Sequence, residues 1–237
     1  LTGVNIGDFG KVHNESFIQL IKKLDEVEGI DRYRISSIEP NLITDEIIEF
    51  TAGSKKFLPH FHIPLQSGSD EILKIMRRRY KTELYFNRFK KIRSIISHAC
   101  IGADVIVGFP GESDNHFQKT YDFLDSLDIS YLHIFSYSMR ENTEAVKIKD
   151  KIPHDIISER SKILHQLSMV KKRHFYNNNI GSLRQVLIES FEDGFLFGHT
   201  ENYIPVRISG SQKDVNEIIP VKLVQIEDDE VIGEKQV

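Results

Sequence analysis

The sequence predicts an α/β protein in two parts: about five parallel strands with helices, followed by a small antiparallel β-barrel. Three observations lead to this fold class. Over residues 1–150, short β-branched runs alternate with amphipathic helical patterns, which is typical of parallel βα units. A long helical pattern connects the two parts over residues 151–179. Over residues 180–237 the hydrophobic period falls to two, which indicates short antiparallel strands.

The first part is predicted to hold five strands, each an apolar run bounded by turn residues. They are LTGVNI (1–6), YRISSI (33–38), FLPHFHIPL (57–65), IGADVIVGF (101–109) and SYLHIFSY (130–137). Helical patterns separate consecutive strands, so right-handed crossovers should make the strands parallel. Pro59 and Pro64 weaken the third strand in its middle, because proline has no N–H to donate to a ladder.

Amphipathic helices are predicted wherever apolar residues recur three and four positions apart. They cover residues 15–28, a short segment from Thr44, residues 70–79, 82–98 and 113–127, and a long helix from Pro153 to Tyr176. In the third of these helices, Asp70 and Glu71 lie in the first turn and three arginines lie at the end. This distribution of charge complements the helix dipole.

The second part is predicted to form four or five strands joined by hairpins. The strands cover residues 183–190, 194–200, 203–209 and 216–227, with Glu192-Asp193-Gly194 and Asp228-Asp229 as turns. So many short strands in so few residues indicate a small barrel of the oligonucleotide-binding type. This part has more than twice as many Asp and Glu as Lys and Arg. That excess argues against simple attraction of phosphates to it.

Composition excludes several classes of protein. The chain is 40% hydrophobic and 28% charged, as in ordinary globular domains, and no apolar run is long enough to span a bilayer. A single cysteine, Cys100, excludes an intrachain disulfide and favours a reducing, cytoplasmic setting. The chain begins at Leu1 inside a predicted strand. We therefore expect a fragment of a longer protein that lacks a preceding segment.

Small and polar residues follow each of the five predicted strands. Carboxyl ends of parallel strands meet at one edge, where ligands bind, so we expect one cleft for a zwitterionic or polyhydroxylated ligand. Each turn taken singly is equally well an ordinary connection. The strand-end residues are Thr2, Gly3, Asn5, Gly7, Ser36, Ser37, Glu39, Pro40, Gln66, Ser67, Gly68, Ser69, Gly108, Pro110, Gly111, Glu112, Ser136, Tyr137, Ser138 and Arg140.

The histidines carry a weaker signal. His60 and His62 alternate on one strand face, a spacing that metal ligands can have. Because the sequence offers no third ligand nearby, we interpret them as core or edge histidines. The sequence also contains no phosphate-binding Gly-x-x-x-x-Gly-Lys loop, no Gly-x-Ser-x-Gly elbow and no Cys/His metal motif.

Five segments occur in an order that resembles one enzyme family. LTGVNIGDFG, RISSIEP, HIPLQSGSDEILKIMRRRY, ADVIVGFPGE and HIFSYS resemble the radical S-adenosylmethionine (SAM) methylthiotransferases, and the last fifty or so residues resemble that family's TRAM domain. The resemblance implies a partial (β/α)6 radical SAM barrel at 1–150, a connecting helix at 151–179 and a TRAM-like barrel at 180–237. VNIGDFG and YSMRENTEAVK are most similar to members that methylthiolate C2 of N6-threonylcarbamoyladenosine beside the tRNA anticodon.

The resemblance also implies cofactors and partners. The family uses SAM and [4Fe–4S] clusters, one of them held by a CxxxCxxC motif that precedes the LTGVNIG segment. Cys100 is the sole cysteine and cluster ligation needs thiolates. We therefore expect no cluster ligands in this chain, and no reductive cleavage of SAM by it alone. The implied partners are the tRNA anticodon stem-loop and the missing N-terminal segment, in the cytoplasm and without a membrane.

Individual residues receive roles from the same resemblance. The SAM pocket is expected to contain Gln66, Ser67, Gly68 and Ser69 near the ribose, Ser37 and Glu39 at the methionine or ribose, and Val107, Gly108 and Phe109 along the adenine. Arg79 either pairs with the methionine carboxylate or is a solvated helix-end arginine. Lys171, Lys172 and Arg173 either meet tRNA phosphates or complement the dipole of their helix.

Other functions remain open from the sequence. The family also includes enzymes that methylthiolate isopentenyladenosine in tRNA or an aspartate of a ribosomal protein. A non-catalytic RNA-binding module and an ordinary phosphate-binding barrel enzyme are the remaining alternatives.

Overall fold

Three parallel strands form the sheet of the first part of the chain. They are β1 (His60–His62), β2 (Cys100–Val107) and β3 (Tyr131–Ser136), and they lie side by side in the order of the chain. The computed structural model describes residues 1–3, 5–139 and 143–236. The predicted parallel α/β arrangement is confirmed.

Within the described residues, six α-helices accompany the sheet. They are α1 (Phe17–Asp25), α2 (Asp45–Gly53), α3 (Asp70–Ile75), α4 (Thr82–Ile95), α5 (Asp114–Ser126) and α6 (His154–Asn177). Four of them begin at a serine or threonine whose hydroxyl accepts a backbone N–H from the first turn, which stabilises a helix start. Among the described residues, no helix has the length and hydrophobicity needed to cross a bilayer.

In the first part of the chain, the described residues form three strands where the sequence predicts about five. Residues 1–3 and 33–38 run alongside the sheet but make only isolated bonds, such as Ser36 N to Leu1 O (3.0 Å) and a bridge between Ser37 and His62. Pro59 has no N–H, and the next amide donates to Leu58 O within its own strand. These two features interrupt the ladder that the 33–38 segment would need. Residues Ile6–Asp8 form a 3-10 turn instead of extending the first strand.

The two faces of the sheet differ in character. One face packs into the main hydrophobic core through Phe61, Ile101, Ala103, Val105 and Leu132, all of them buried. Because side chains alternate along a strand, the residues between them point to the opposite, inner face. That inner face carries His60 and His62 from β1, Gly102, Asp104 and Ile106 from β2, and Tyr131, His133 and Phe135 from β3.

Residues from 183 onward form a closed five-stranded barrel in the order β4-β5-β6-β8-β7. The strands are β4 (Leu183–Glu192), β5 (Phe195–Thr200), β6 (Pro205–Ser209), β7 (Ile218–Glu227) and β8 (Glu230–Lys235). All pairs are antiparallel except β6 with β8. Asp193, Asp228 and Asp229 adopt positive φ at the two predicted hairpins.

Buried amides join this barrel to the first part. The Asn202 side chain donates to His98 O and to Asn179 Oδ1, each at 2.9 Å. Asn179 Oδ1 also accepts from Arg184 Nη2 at 2.6 Å, and both asparagines are almost fully buried. Because a buried amide is costly to leave without a partner, these bonds orient the barrel relative to the sheet.

Candidate functional site

A cavity of about 610 Å³ opens at the carboxyl ends of β2 and β3. We call it the carboxyl-end cavity. It lies where ligands bind in parallel α/β proteins, and it includes Gln66 and Phe109 of the predicted SAM residues. Its lining consists of Gln66, Asp104, Ile106, Phe109, Phe135, Ser136, Tyr137, Ser138, Thr143 and Ala145. The strand-end candidate Arg140 lies outside the described residues.

Gln66 has an unusual backbone at the edge of this cavity. Its φ is +67°, a left-handed conformation that a non-glycine residue adopts at some energetic cost. Two hydrogen bonds to β2 hold it: Gln66 N donates to Asp104 O (2.8 Å) and Gln66 O accepts from Ile106 N (2.9 Å). Strain of this kind, enforced by neighbouring strands, is common at ligand sites.

The three residues after Gln66 bind neighbouring helices, and none of them lines the carboxyl-end cavity. Ser67 Oγ lies 3.2 Å from Thr120 Oγ1, and Gly68 N donates to the same oxygen at 3.1 Å. A Cβ on Gly68 would lie 2.7 Å from Thr120 Cα, so only glycine fits between the turn and α5. Ser69 Oγ accepts from Ile72 N and caps α3. The contacts of this turn with α5 and α3 therefore hold the backbone next to Gln66 in place.

Arg78 pairs with Glu39, whereas the sequence pointed to Arg79. Arg78 Nη1 lies 3.2 Å from Glu39 Oε1, and both side chains are partly buried. The buried Arg78 Nε has no hydrogen-bond partner among the described residues. Arg79 is exposed. The helix α3 ends at Ile75 and Arg77 adopts a φ of +56°, so the helix does not continue to residue 79 as predicted. As a result Arg78, and not Arg79, faces Glu39.

A smaller cavity of about 350 Å³ adjoins the first and reaches Arg78. The two cavities share Ile106, Phe109 and Tyr137. The rings of Phe109 and Tyr137 meet edge to face with centroids 5.3 Å apart. The buried Tyr137 hydroxyl has no partner among the described residues. The continuous space therefore has an aromatic part, a cation and an unsatisfied hydroxyl.

The turn after β2 is held by a buried carboxylate. Glu112 Oε2 accepts from Gly108 N at 2.7 Å and from Arg160 Nη1 at 2.8 Å. Burial raises the pKa of Glu112, although the Gly108 amide and Arg160 oppose this effect. Val107 is fully buried in β2, while Phe109 emerges at the cavity. Of the three predicted adenine-side residues, only Phe109 therefore lines the described cavity.

A second cavity of about 560 Å³ lies between the inner sheet face, α6 and the small barrel. We call it the interface cavity. Aromatic rings dominate its wall, with Tyr131, Phe175, Tyr176 and Tyr203 among the lining residues. Two cations lie over these rings: Arg34 is 4.1 Å from the centroid of Tyr203, and Lys172 Nζ is 5.4 Å from that of Tyr176. Ser37, predicted for the SAM pocket, lines this cavity instead.

The side chains of the three basic residues near the end of α6 lie in different environments. Lys171 Nζ donates to Asp125 O (2.6 Å) and Leu127 O (2.8 Å), at the end of α5, and burial lowers the pKa of Lys171. Lys172 lines the interface cavity. Arg173 is exposed. The three residues therefore do not form one basic surface.

A hydrogen-bonded cluster on the inner sheet face was not predicted. His62 Nε2 lies 2.8 Å and His133 Nδ1 lies 3.4 Å from Asp104 Oδ1. The Tyr131 hydroxyl lies 3.0 Å from His60 Nε2 and 3.1 Å from His62 Nδ1. The alternation of side chains along each strand could have placed these residues on the same face of the sheet. Which of them are neighbours on adjacent strands is visible only in the folded sheet.

The sole cysteine does not fit an iron–sulfur cluster. Cys100 is buried at the amino end of β2, opposite the edge that bears the carboxyl-end cavity. Burial raises the pKa of its thiol to about 12, which opposes the thiolate form that a cluster requires. The residues of this chain therefore do not supply cluster ligands. SAM fits better, since Tyr137 and Arg78 leave polar atoms unsatisfied beside an aromatic cavity.

A comparison with models of protein families indicates the class of protein. Residues 10–124 match the Radical SAM superfamily. A solved structure of Escherichia coli coproporphyrinogen III oxidase (HemN), a radical SAM enzyme, has a TM-score of 0.48 and 15% identity, covering 79% of this chain and 39% of that one.

Two curated relatives indicate which group of radical SAM proteins this chain resembles. The chain is 37% identical to the threonylcarbamoyladenosine tRNA methylthiotransferase MtaB of Bacillus subtilis, over 95% of this chain and 51% of the relative. It is 32% identical to a tRNA-2-methylthio-N(6)-dimethylallyladenosine synthase of Clostridium botulinum, over 99% of this chain and 53% of the relative. The chain is therefore similar to radical SAM methylthiotransferases over nearly its whole length, as its motifs predict. It spans about half the length of these curated relatives.

Proposed function

We propose that this chain is the SAM- and substrate-binding part of an enzyme that methylthiolates C2 of N6-threonylcarbamoyladenosine in tRNA, beside the anticodon. The observation that carries the proposal is the carboxyl-end cavity. It joins a strained Gln66, the aromatic pair Phe109 and Tyr137, and the adjoining Arg78 in one space. The names of several relatives support the reaction class.

In this proposal the cavity residues divide the recognition of SAM among them. Phe109 and Tyr137 pack against the adenine, because aromatic side chains stack favourably on flat nucleobases. Arg78 binds the methionine carboxylate, since a guanidinium matches carboxylate geometry. Glu39, already beside Arg78, accepts the methionine ammonium group. Gln66 offers its polar side chain at the ribose, while Ser67, Gly68 and Ser69 hold that turn in place.

The radical chemistry itself needs groups that this chain does not hold. In the family, reductive cleavage of SAM depends on a [4Fe–4S] cluster bound by cysteine thiolates. With Cys100 buried and remote from the cavity, we expect this chain alone to bind SAM without cleaving it. In this proposal an N-terminal segment of the same cytoplasmic enzyme supplies the cluster cysteines and completes the activity.

The interface cavity is the proposed place for the tRNA nucleotide. Single-stranded RNA is recognised by stacking unpaired bases on aromatic side chains and by cations near them. Tyr131, Phe175, Tyr176 and Tyr203 provide the rings. Arg34 and Lys172 provide the cations, and a threonylcarbamoyl group carries a carboxylate that such cations attract. Arg173 adds a phosphate contact outside the cavity.

A second substrate is suggested by the relatives that are named as tRNA-2-methylthio-N(6)-dimethylallyladenosine synthases. A dimethylallyl group is apolar and gains nothing from Arg34 or Lys172. Competition between anticodon stem-loops that carry either modification distinguishes the two. If the dimethylallyl RNA binds more tightly, the threonylcarbamoyl assignment is wrong.

Calorimetric titration of the 237-residue chain with SAM tests the cofactor site. Arg78→Ala should weaken SAM binding by roughly tenfold or more, because it removes a charge-assisted hydrogen bond. Its neighbour Arg79→Ala is the matched control and should leave the affinity unchanged. Absence of SAM binding, or equal losses in both variants, would contradict the proposed site.

A further inference from the structure

His62, Asp104 and His133 lie together on the inner face of the sheet, one from each strand. We propose that these three side chains form a binding site for one divalent transition-metal ion of the zinc class. This site lies between the two cavities of the proposed function, but the proposal does not depend on SAM or cluster chemistry. Among the described residues, this site is the one group of three such side chains close enough to share an ion.

The separations suit a metal ion. Asp104 Oδ1 lies 2.8 Å from His62 Nε2 and 3.4 Å from His133 Nδ1, and all three ligand atoms lie within 4.8 Å of one another. Ligand atoms at tetrahedral angles around Zn²⁺ lie about 3.3 Å apart, given metal–ligand distances of about 2.0 Å. His133 is 55% exposed, so its ring has room to close the remaining gap.

The sheet register makes this arrangement rigid. Asp104 and His133 are direct partners on neighbouring parallel strands. His62 is the register partner of Gly102, two residues before Asp104 on the same face. Ligands on strands of a hydrogen-bonded sheet keep their spacing better than ligands on loops.

Tyr131 supplies an outer partner for one ligand. Its hydroxyl lies 3.1 Å from His62 Nδ1. When His62 carries its proton on Nδ1 and donates it to this oxygen, Nε2 has a lone pair that faces Asp104. This lone pair can bind a metal ion. Metal-bound histidines commonly have such a partner on the second ring nitrogen. Gly102 makes the arrangement possible, because a Cβ there would overlap the Tyr131 ring.

The site is open on both sides. Asp104 lines the carboxyl-end cavity, while His62 and His133 line the interface cavity. Three protein ligands with access to solvent leave a fourth position for water or a substrate atom, as in reactive rather than structural zinc sites. Two imidazoles and a carboxylate favour Zn²⁺, Co²⁺ or Ni²⁺ over Mg²⁺ or Ca²⁺, which prefer oxygen ligands.

Titration of the metal-free 237-residue chain with Co²⁺, followed by displacement with Zn²⁺, tests the site. We expect one Co²⁺ per chain, with visible absorption bands typical of a low-coordinate nitrogen–oxygen site. His133→Ala should abolish this binding, and its exposed position leaves the fold intact. Asp104→Asn should also abolish it. Tyr131→Phe should weaken binding by about tenfold, as outer-partner changes do.

His199→Ala is the matched control. His199 Nδ1 lies 2.9 Å from Glu189 Oε2 in a partly exposed pair on the small barrel, and His199 also lines the interface cavity, so this variant removes a nearby histidine–carboxylate pair that is not part of the proposed ligand set. It should bind Co²⁺ as the unmodified chain does. Circular dichroism and the melting temperature without metal show that each variant is folded. Lack of Co²⁺ binding, binding that survives His133→Ala, or an equal loss in His199→Ala overturns the proposal.

Discussion

Arg160 of α6 donates to the buried carboxylate of Glu112, with 2.8 Å between Nη1 and Oε2. The side chains are 5% and 1% exposed, respectively. A second nitrogen of Arg160 donates to Asp114 Oδ1 at 2.6 Å. Through these bonds the long connecting helix is attached to the turn that positions Phe109.

Removal of this arginine should destabilise the chain strongly. In Arg160→Met the carboxylate of Glu112 stays buried without its cation, which typically costs about 3–5 kcal/mol. Urea unfolding followed by circular dichroism measures the loss. Lys22→Ala breaks the exposed Lys22–Glu46 pair and should cost less than about 1 kcal/mol. Similar losses in the two variants would show that burial does not govern the Arg160 pair.

Gly68→Ala should destabilise the chain through the turn behind Gln66. The added Cβ would lie 2.7 Å from Thr120 Cα, a backbone atom that cannot move aside easily. Overpacking of this kind costs about 1–3 kcal/mol. Gly53→Ala, where a Cβ meets nothing within 4 Å, should be neutral or stabilising in the same thermal unfolding experiment. A neutral Gly68→Ala would mean that α5 and the turn are not closely packed.

Stability should fall as the pH is lowered from 6.5 toward 5, in part because of His60. Burial, assisted by the charges of Arg34, His62 and His133, lowers the pKa of His60 to about 3, so the folded chain keeps this imidazole neutral. In the unfolded chain His60 binds a proton near pH 6.5. Below this pH the free energy of unfolding therefore falls by up to about 1.4 kcal/mol per pH unit. The contribution is complete above pH 6.5 and is lost progressively toward pH 3.

Urea unfolding at several pH values between 5 and 7.5 checks this slope. His60→Phe should reduce the slope, although it also changes the absolute stability. His154→Phe alters an exposed histidine and should leave the slope as it is. An unchanged slope in His60→Phe would show that His60 is protonated in the folded chain or does not dominate the titration.

The sequence predicted local structure well where that structure depends only on residues of the same segment. The helices predicted from about residues 15, 44, 70 and 113 begin after Ser16, Thr44, Ser69 and Ser113 in the structure, and the hairpins predicted at residues 192–194 and 228–229 are present. The strand predicted at residues 33–38 makes only isolated bridges to the sheet. A strand needs a continuous ladder, and Pro59 together with the bond from His60 N to Leu58 O interrupts it.

The candidate site was predicted only in outline. Gln66 and Phe109 line the expected cavity, but Ser67, Gly68 and Ser69 serve the packing of α5 and α3, and Ser37 faces the interface cavity. The choice between Arg78 and Arg79 depended on where α3 ends. That end is decided by the φ of Arg77 and by packing that no helical periodicity reveals.

The sequence by itself determined the resemblance to radical SAM methylthiotransferases, most of the order of helices and strands and the lack of cysteine ligands for a cluster, because each depends on contiguous motifs or on composition. Only the tertiary structure decided which side chains meet. His62, Asp104 and His133 are separated by dozens of residues and become neighbours through the register of parallel strands. Register is set by long-range hydrogen bonds and core packing, so its consequences appear only in the folded chain.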